Sequence, residues 1–218
     1  MNEPQEQMIE CMACKKEGAF DFYPVVNTMV SADLKARVKN YEIFKFTCPH
    51  CGSEQFVNYS FLYHDVKHRV LVYYCQDEED AARAEAQCAE TACEAGYRRR
   101  VVMGADNLVE KVRIFDAALD DRVVEIYKIL LFGEMRGQLL MLVGGENVET
   151  VFLDEHADGT LYFVFVAGNQ AVAEVQFDRG VYQEVARRYK KALENISAET
   201  LVVDQDWAFD FLSAQQEV

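Results

Sequence analysis

The sequence has few of the residues that interrupt regular structure. It contains three prolines and eleven glycines in 218 residues, and it shows neither a repeat of fixed period nor a serine/glycine-rich tract. These absences exclude a solenoid and a long disordered linker. Half of the residues are hydrophobic, which is enough for one large packed domain or two small ones. The sequence therefore predicts a folded protein in which any domain boundary is short.

A long apolar run is also missing. No segment approaches the length that spans a membrane, and residues 1–7 have neither the basic stretch nor the apolar run of a signal peptide. We therefore expect a cytoplasmic protein without membrane contact. In that reducing compartment the seven cysteines are expected to be thiols or metal ligands rather than disulfides, and their odd number agrees with this expectation.

Positive charge is scarce in this chain. Lysine and arginine number 22 against 37 aspartates and glutamates, so the formal net charge is −15 at pH 7. Nucleic-acid binding depends on basic side chains that displace counterions from phosphates, and the net charge opposes it. A protein or a small molecule is the better expectation for a partner. Neither a phosphate-binding glycine loop nor a serine nucleophile elbow occurs, so no catalytic set is recognisable.

Two C-x-x-C pairs are the most informative motifs that are present. Cys11 and Cys14 form the first pair, and Cys48 and Cys51 form the second. Zinc takes four ligands in a tetrahedron, and each pair supplies two from one tight turn whose backbone amides point at the sulfurs. The 33 residues between the pairs exceed the roughly 15–20 of the commonest pattern. We therefore expect an inserted strand and helix, and we predict one structural zinc ion.

Two alternatives to zinc binding follow from the same motifs. A thioredoxin-like redox pair follows a strand and opens a helix, whereas Cys51 is followed by Gly52 and then by a predicted strand, which opposes redox chemistry. The second alternative is that the four cysteines are unrelated buried thiols. His50, inside the second pair, is expected to be exposed, because four cysteines already fill the tetrahedron. Cys75, Cys88 and Cys93 are predicted to be buried thiols.

The region around both pairs resembles a known family. The segment Phe46-Thr47-Cys48-Pro49-His50-Cys51-Gly52, the earlier C-x-x-C pair and the segment Phe61-Leu62-Tyr63-His64-Asp65 are similar to the CpXC proteins of bacteria and archaea. The likeness covers roughly residues 8–131, including the helices around 120–122. It implies that the four cysteines bind metal, and it supplies no catalytic residue. The first pair departs from the family pattern because it lacks the usual proline.

Tyr63, His64 and Asp65 form a possible secondary site. If this segment is functional, Asp65 orients the His64 ring for proton transfer or for contact with a ligand in a nearby pocket. The alternative interpretation is a solvated or hydrogen-bonded hairpin turn that also carries His68. The three arginines at 98–100 make a compact basic run on a predicted strand, where their side chains alternate between faces and do not form one patch. We expect a solvated face or local salt bridges.

These patterns predict an α+β protein. Its parts are a zinc-ribbon-like N-terminal β unit with an inserted strand and helix, a helical middle, and a C-terminal antiparallel sheet with a covering helix. Beyond Gly133 the helical pattern changes to strands, expected at 138–143, 148–153, 161–166 and 171–177, with a hairpin turn at Asp158-Gly159. The covering helix is expected from about Arg179 to Glu194. The expected domains are residues 1–133 and 134–218. The function favoured is a non-enzymatic interaction or adaptor protein. The alternatives are an enzyme or small-ligand binder at Tyr63, His64 and Asp65 and, with less support, a nucleic-acid-associated zinc ribbon.

Overall fold

The computed structural model of this chain describes residues 3–92, 96–142, 148–168, 170–197 and 200–216. The chain divides into two compact units, Met1–Val109 and Glu110–Val218. The division falls within helix Ala105–Asp116. The boundary expected between residues 133 and 134 falls inside another helix, Asp121–Leu142. That expectation treated Gly133 as a break, whereas the helix continues through it.

The regular elements confirm an α+β fold. The strands are β1 (Gln5–Glu10), β2 (Glu17–Phe22), β3 (Val25–Asn27), β4 (Lys45–Thr47), β5 (Glu54–Phe56), β6 (Phe61–Asp65), β7 (Val70–Cys75), β8 (Arg98–Met103), β9 (Thr150–Glu155), β10 (Leu161–Ala167) and β11 (Gln170–Gln176). The helices are α1 (Ala32–Lys39), α2 (Glu78–Glu90), α3 (Ala105–Asp116), α4 (Asp121–Leu142), α5 (Arg179–Glu194) and α6 (Gln205–Gln216). A 3₁₀ turn, Glu42–Phe44, precedes β4.

The N-terminal unit contains two hairpins and a four-stranded sheet. β1 pairs with β2, and β4 pairs with β5, each antiparallel and each carrying one C-x-x-C pair in its loop. The expected inserted strand and helix are β3 and α1. The sheet has the order β3-β6-β7-β8, in which β6 and β7 form the predicted antiparallel hairpin and the two outer pairs are parallel. α2 crosses between the parallel strands β7 and β8 and packs against both.

The arginine run on β8 shows how the sheet and α2 fit together. Arg99 and Arg100 are buried, so the expectation of a solvated face is wrong for both. The guanidinium of Arg99 donates to the carbonyl oxygens of Cys88 and Thr91, at 2.9 and 2.7 Å. These carbonyls lie at the end of α2, where no helical donor is available, so the cation satisfies them and complements the helix dipole.

The C-terminal unit is built from the antiparallel sheet β11-β10-β9 and from helices, as predicted. The hairpin between β9 and β10 closes at the expected Asp158-Gly159 turn, where the His156 N–H donates to the Thr160 carbonyl at 2.9 Å. Gly159 has a φ of +85°, which glycine adopts without steric cost. α4 packs against β9, α5 and α6.

The prediction of a strand at 138–143 is wrong for residues 138–142, which the structure describes, because α4 extends to Leu142. The run of apolar residues suggested a strand, but Leu131, Met135 and Leu139 repeat at the helical interval of four. Gly133 and Gly137 lie on the solvent side, where each costs about 1 kcal/mol relative to alanine without breaking the helix. No helix in the described ranges combines the length and apolar character needed to cross a bilayer.

Five charged side chains are buried together within the C-terminal unit. We call Glu110, Lys111, Asp121, Glu125 and Lys128 the buried charge cluster, and none is more than 3% exposed. Lys128 Nζ lies 2.9 Å from Glu110 Oε1 and 2.7 Å from Glu125 Oε2. Lys111 Nζ lies 2.9 Å from Glu125 Oε1 and 3.5 Å from Asp121 Oδ2. Buried charges persist only when they are paired in this way.

Candidate metal centre

The first C-x-x-C pair occupies the tight loop between β1 and β2. The Cys11 N–H donates to the Lys16 carbonyl at 3.0 Å, and the Lys15 N–H donates to the Cys11 carbonyl at 2.9 Å. Lys15 takes the left-handed conformation, with a φ of +59°. These two hydrogen bonds fold the loop back on itself, so one tight turn carries both thiols.

The second pair repeats the same loop between β4 and β5. The Cys48 N–H donates to the Ser53 carbonyl at 2.9 Å, and the Gly52 N–H donates to the Cys48 carbonyl at 2.9 Å. Gly52 has a φ of +72°, which glycine adopts without steric cost, and it occupies the position that Lys15 holds in the first loop. The two hairpins therefore present their sulfurs in the same way.

The four sulfurs form one compact group. Cys11 Sγ lies 3.6 Å from Cys51 Sγ, and Cys14 Sγ lies 3.7 Å from Cys48 Sγ. All four Sγ atoms lie within 4.8 Å of one another. A disulfide requires about 2.05 Å between sulfurs. A tetrahedral ion with metal–sulfur bonds of about 2.3 Å places its ligands about 3.8 Å apart, so this spacing fits four ligands around one metal ion.

Side-chain hydrogen bonds hold the two hairpins against each other. The Gln55 side chain accepts from the Met12 N–H at 3.0 Å and donates to the Glu10 carbonyl at 3.2 Å. The His50 ring nitrogen Nε2 lies 3.0 Å from the Glu17 carbonyl, to which it donates. His50 is exposed, as expected, and it links the hairpins instead of joining the sulfur group.

Close packing beneath the second loop requires a glycine on β2. A Cβ atom on Gly18 would lie 2.6 Å from Pro49 Cδ and 2.9 Å from Phe46 Cζ. The space is therefore taken by the proline of the second pair. Around it, a small apolar cluster supports the sulfurs, consisting of Cys11, Phe20, Phe46 and Cys48 with Ile9, Cys14, Phe22, Val57 and Tyr59 packed against them.

The two cysteines of the second loop differ in their pKa values. Burial raises the pKa of Cys48, but hydrogen bonds from the backbone of His50 and Cys51 outweigh burial and lower that pKa to about 6. The Ser53 backbone lowers the pKa of Cys51, but the neighbouring Cys14 thiol and burial raise it to about 12. Several thiolates this close repel one another, and a divalent cation removes that repulsion.

The comparison with protein families decides the assignment of this chain. The profile described as CpXC protein matches residues 9–128, which is more than half of the sequence. The chain belongs to the CpXC family. Comparisons with curated proteins and with solved structures returned no match. The family region contains both C-x-x-C loops and the four clustered cysteines, so the grouping predicted from the two C-x-x-C motifs is confirmed.

The missing proline in the first loop of this CpXC protein has a structural reason. Met12 stands where Pro49 stands in the second loop. The Met12 N–H donates to Gln55, and proline has no N–H with which to make that bond. The departure from the family pattern thus exchanges a stiffer turn for a contact between the hairpins.

Two further cysteines that the structure describes are not members of this group. Cys75 and Cys88 are buried, as predicted. Burial raises the pKa of Cys75 to about 11, so it stays a neutral thiol. Cys93 lies outside the described residues.

Tyr63, His64 and Asp65 do not form the predicted arrangement. They are consecutive on β6, so the side chain of His64 points to the opposite face from those of Tyr63 and Asp65. His64 Nδ1 lies 3.4 Å from Asn27 Nδ2, and His64 Nε2 lies 3.0 Å from the Tyr97 hydroxyl. The expectation that Asp65 orients the His64 ring is therefore wrong.

Asp65 instead joins α1 to the turn that follows β6. Its buried carboxylate accepts from Lys35 Nζ at 2.8 Å, from His68 Nδ1 at 2.9 Å and from the His68 backbone N–H at 3.1 Å. Aspartate in a turn typically accepts a hydrogen bond from a backbone N–H a few residues further along the chain, as Asp65 does from His68. An aspartate at the start of a predicted turn was therefore the signal in the sequence for this role. The Tyr63 hydroxyl lies 3.5 Å from the same carboxylate.

Asp65→Asn is expected to destabilise the protein in a manner that depends on pH. Burial raises the pKa of Asp65, but hydrogen bonds from Lys35 and His68 outweigh burial and lower it to about 2. A lowered pKa means that the contribution to stability is complete above the unfolded pKa of about 4 and is lost as the pH falls toward 2. Urea unfolding followed by circular dichroism should show a loss of about 1–3 kcal/mol at pH 7.

The difference between Asp65→Asn and the unchanged protein should shrink at pH 3. Asp21→Asn, on the exposed face of β2, is the matched control and should leave stability nearly unchanged. An equal loss at pH 7 and pH 3 would contradict the assigned role of the charge.

Proposed function

We propose that the four-cysteine group binds one structural zinc ion. The observation that supports this proposal most directly is the spacing of four sulfurs at the distances of a tetrahedral ligand set. Four protein ligands leave no open position for substrate or water, which is typical of structural zinc sites. Tetrahedral sulfur sites also accept iron, so the identity of the metal needs a direct measurement.

Metal analysis of the purified protein tests the zinc proposal. The expected result is about one equivalent of zinc per chain and no visible absorption, with four thiols protected from a thiol reagent until a chelator is added. Replacement of zinc by Co²⁺ should produce the visible bands of a tetrahedral tetrathiolate. Less than about half an equivalent of zinc together with freely reactive thiols, or a stoichiometric content of iron, would overturn the proposal.

For the role of the whole protein we propose an interaction or adaptor module. A closed ligand set gives the metal a supporting function, so the hairpins are expected to act through their surface. Met8 and Met12, on the first hairpin, are 52% and 73% exposed. Methionine is flexible and is used at adaptable binding surfaces. The net charge of −15 favours a partner with a basic surface around its apolar contact.

Affinity capture with paired variants tests the interaction proposal. Met8→Glu with Met12→Glu should remove a specific partner that the unchanged protein retains. Met29→Glu with Val30→Glu introduces the same charges at side chains that are 73% and 65% exposed, and this control should retain the partner. Equal retention by both double variants would contradict a binding role for the first hairpin. Both variants should keep their zinc, which separates loss of binding from loss of structure.

A further inference from the structure

A second compact basic run lies on α5, outside the region matched by the family. Arg187, Arg188, Lys190 and Lys191 fall within five residues of an otherwise acidic chain, and all four are exposed. This exposure distinguishes them from the buried Arg99 and Arg100 on β8. On a helix, Arg188 and Lys191 are three residues apart and therefore share a face.

Arg188 and Lys191 line a cavity within the C-terminal unit. The cavity has a volume of about 410 Å³ and lies where residues of α4, α5 and α6 meet. Its other polar lining comes from Tyr189 and Gln215. Arg187 and Lys190, from the same basic run, are not part of the lining. The cavity thus brings two cations, a phenol and an amide to one place.

Among the residues that the structure describes, neither Arg188 nor Lys191 forms an ion pair with a carboxylate. Lys190, which lies outside the cavity, does approach an acid, with Nζ 3.9 Å from Glu194 Oε1. The Arg188 guanidinium lies over the Tyr189 ring, 5.4 Å from its centroid. Two adjacent unpaired cations in a concave site attract an anion.

The walls of the cavity restrict the kind of anion. Leu130, on α4, and Leu212, on α6, provide apolar surface beside the charged groups. A volume of about 410 Å³ lies in the range of small-molecule sites. A long polyanion would meet the negative field of a chain with a net charge of −15, whereas a small anion carries few charges into that field.

We propose that this cavity binds a small organic anion. The Arg188 guanidinium suits a carboxylate or a phosphate, to which arginine donates two parallel hydrogen bonds. Lys191 adds a second positive charge, and Gln215 supplies an amide donor. The apolar part of the ligand lies against the two leucines. This proposal is independent of the metal centre.

The only tryptophan of the chain provides a natural reporter for the test. Trp207, on α6, stacks on Phe211 with ring centroids 5.4 Å apart, and Phe211 contacts the ring of Tyr189 at 5.8 Å. Titration of the complete, metal-loaded protein with phenyl phosphate should therefore change the Trp207 fluorescence and saturate. Phenol, which has the same ring without the charge, should bind at least about tenfold more weakly.

Paired charge-neutralising variants distinguish a cavity from a generally basic helix. Arg188→Gln with Lys191→Gln should weaken phenyl phosphate binding at least about tenfold. Arg187→Gln with Lys190→Gln removes the same charge from the same helix but leaves the cavity lining intact, and it should change the affinity less than about twofold. Circular dichroism should show that both double variants keep the fold, because all four side chains are exposed.

Three results would overturn the proposal. The first is no saturable response to phenyl phosphate up to about 10 mM. The second is equal binding of phenol and phenyl phosphate, which would indicate an apolar cavity without anion selectivity. The third is an equal loss in both double variants, with equally weakened binding of a single-stranded RNA oligonucleotide, which would assign the charges to a general basic face.

Discussion

Replacement of Cys48 by serine is expected to release the proposed zinc ion and to unfold the two hairpins that carry the cysteine pairs. Cys48 is 2% exposed and belongs both to the sulfur group and to the small apolar cluster beneath it. That cluster is too small to hold four short strands by itself. Structural zinc contributes roughly 10–16 kcal/mol of apparent binding free energy in zinc-finger peptides, which is comparable with the entire stability of a domain.

Metal content and amide hydrogen exchange measure this effect. Zinc should fall from about one equivalent to nearly none, and protection should disappear from β1, β2, β4 and β5 while it persists in the C-terminal unit. Cys88→Ser is the matched control, because Cys88 is also 2% exposed but lies outside the sulfur group. It should retain the metal. A Cys48→Ser protein that keeps both zinc and protected hairpins would refute the structural role.

Replacement of Lys128 by methionine should produce the largest loss of stability in the C-terminal unit. Its ammonium group lies 2.9 and 3.0 Å from the two carboxylate oxygens of Glu110 and 2.7 Å from Glu125. The substitution removes this ammonium group from both carboxylates while they stay buried. Breaking one partner of a buried ion pair costs about 3–5 kcal/mol, because the remaining charge has no solvent to stabilise it.

Urea unfolding monitored by Trp207 fluorescence measures this cost, since Trp207 lies in the same unit. Lys190→Met, on the exposed face of α5, should cost less than about 0.5 kcal/mol. Adding Glu110→Gln to Lys128→Met should recover part of the stability by removing one uncompensated charge. A loss below about 1 kcal/mol for Lys128→Met would show that the pairing is energetically minor.

The same cluster predicts a stability limit at each end of the pH scale. Burial lowers the pKa of Lys128, but Glu110 and Glu125 outweigh burial and raise it, so this contribution is lost above about pH 10.5. Burial raises the pKa of Glu125, but Lys111 and Lys128 outweigh burial and lower it, so its contribution is lost as the pH falls below about 4.5. Burial raises the pKa of Glu110, because the ionised carboxylate is less stable there than in water. Between these two pH limits the ionised Glu110 therefore reduces the net stability that the cluster contributes.

Local patterns in the sequence predicted much of the fold. The helix predicted from about Arg179 to Glu194 has those bounds in the structure, because its apolar residues repeat at helical spacing and Asp178 caps its first turn. The Asp158-Gly159 turn and the alternating strands on either side were equally local signals. The four cysteines were identified because a C-x-x-C turn presents both sulfurs through its own backbone hydrogen bonds, whatever surrounds it.

Contacts between distant residues were not predictable in the same way. The run at 98–100 suggested a solvated face, and only the arrangement of α2 over β8 shows that Arg99 caps that helix. Asp65 was paired with its neighbour His64, whereas strand geometry separates the two and tertiary packing supplies Lys35. α4 was expected to end near Gly133, but its apolar stripe continues and buries Leu139.

The sequence by itself determined the cysteine set, the α+β class and most of the local elements, since each depends on spacing within a few residues. Only the tertiary structure decided that 33 inserted residues return the second pair to the first with sulfurs 3.6 and 3.7 Å apart. It also assembled the buried charge cluster and, separately, the cavity lined by Arg188 and Lys191. The members of each come from different helices. Burial and charge pairing are properties of the packed chain, and no interval along the sequence encodes them directly.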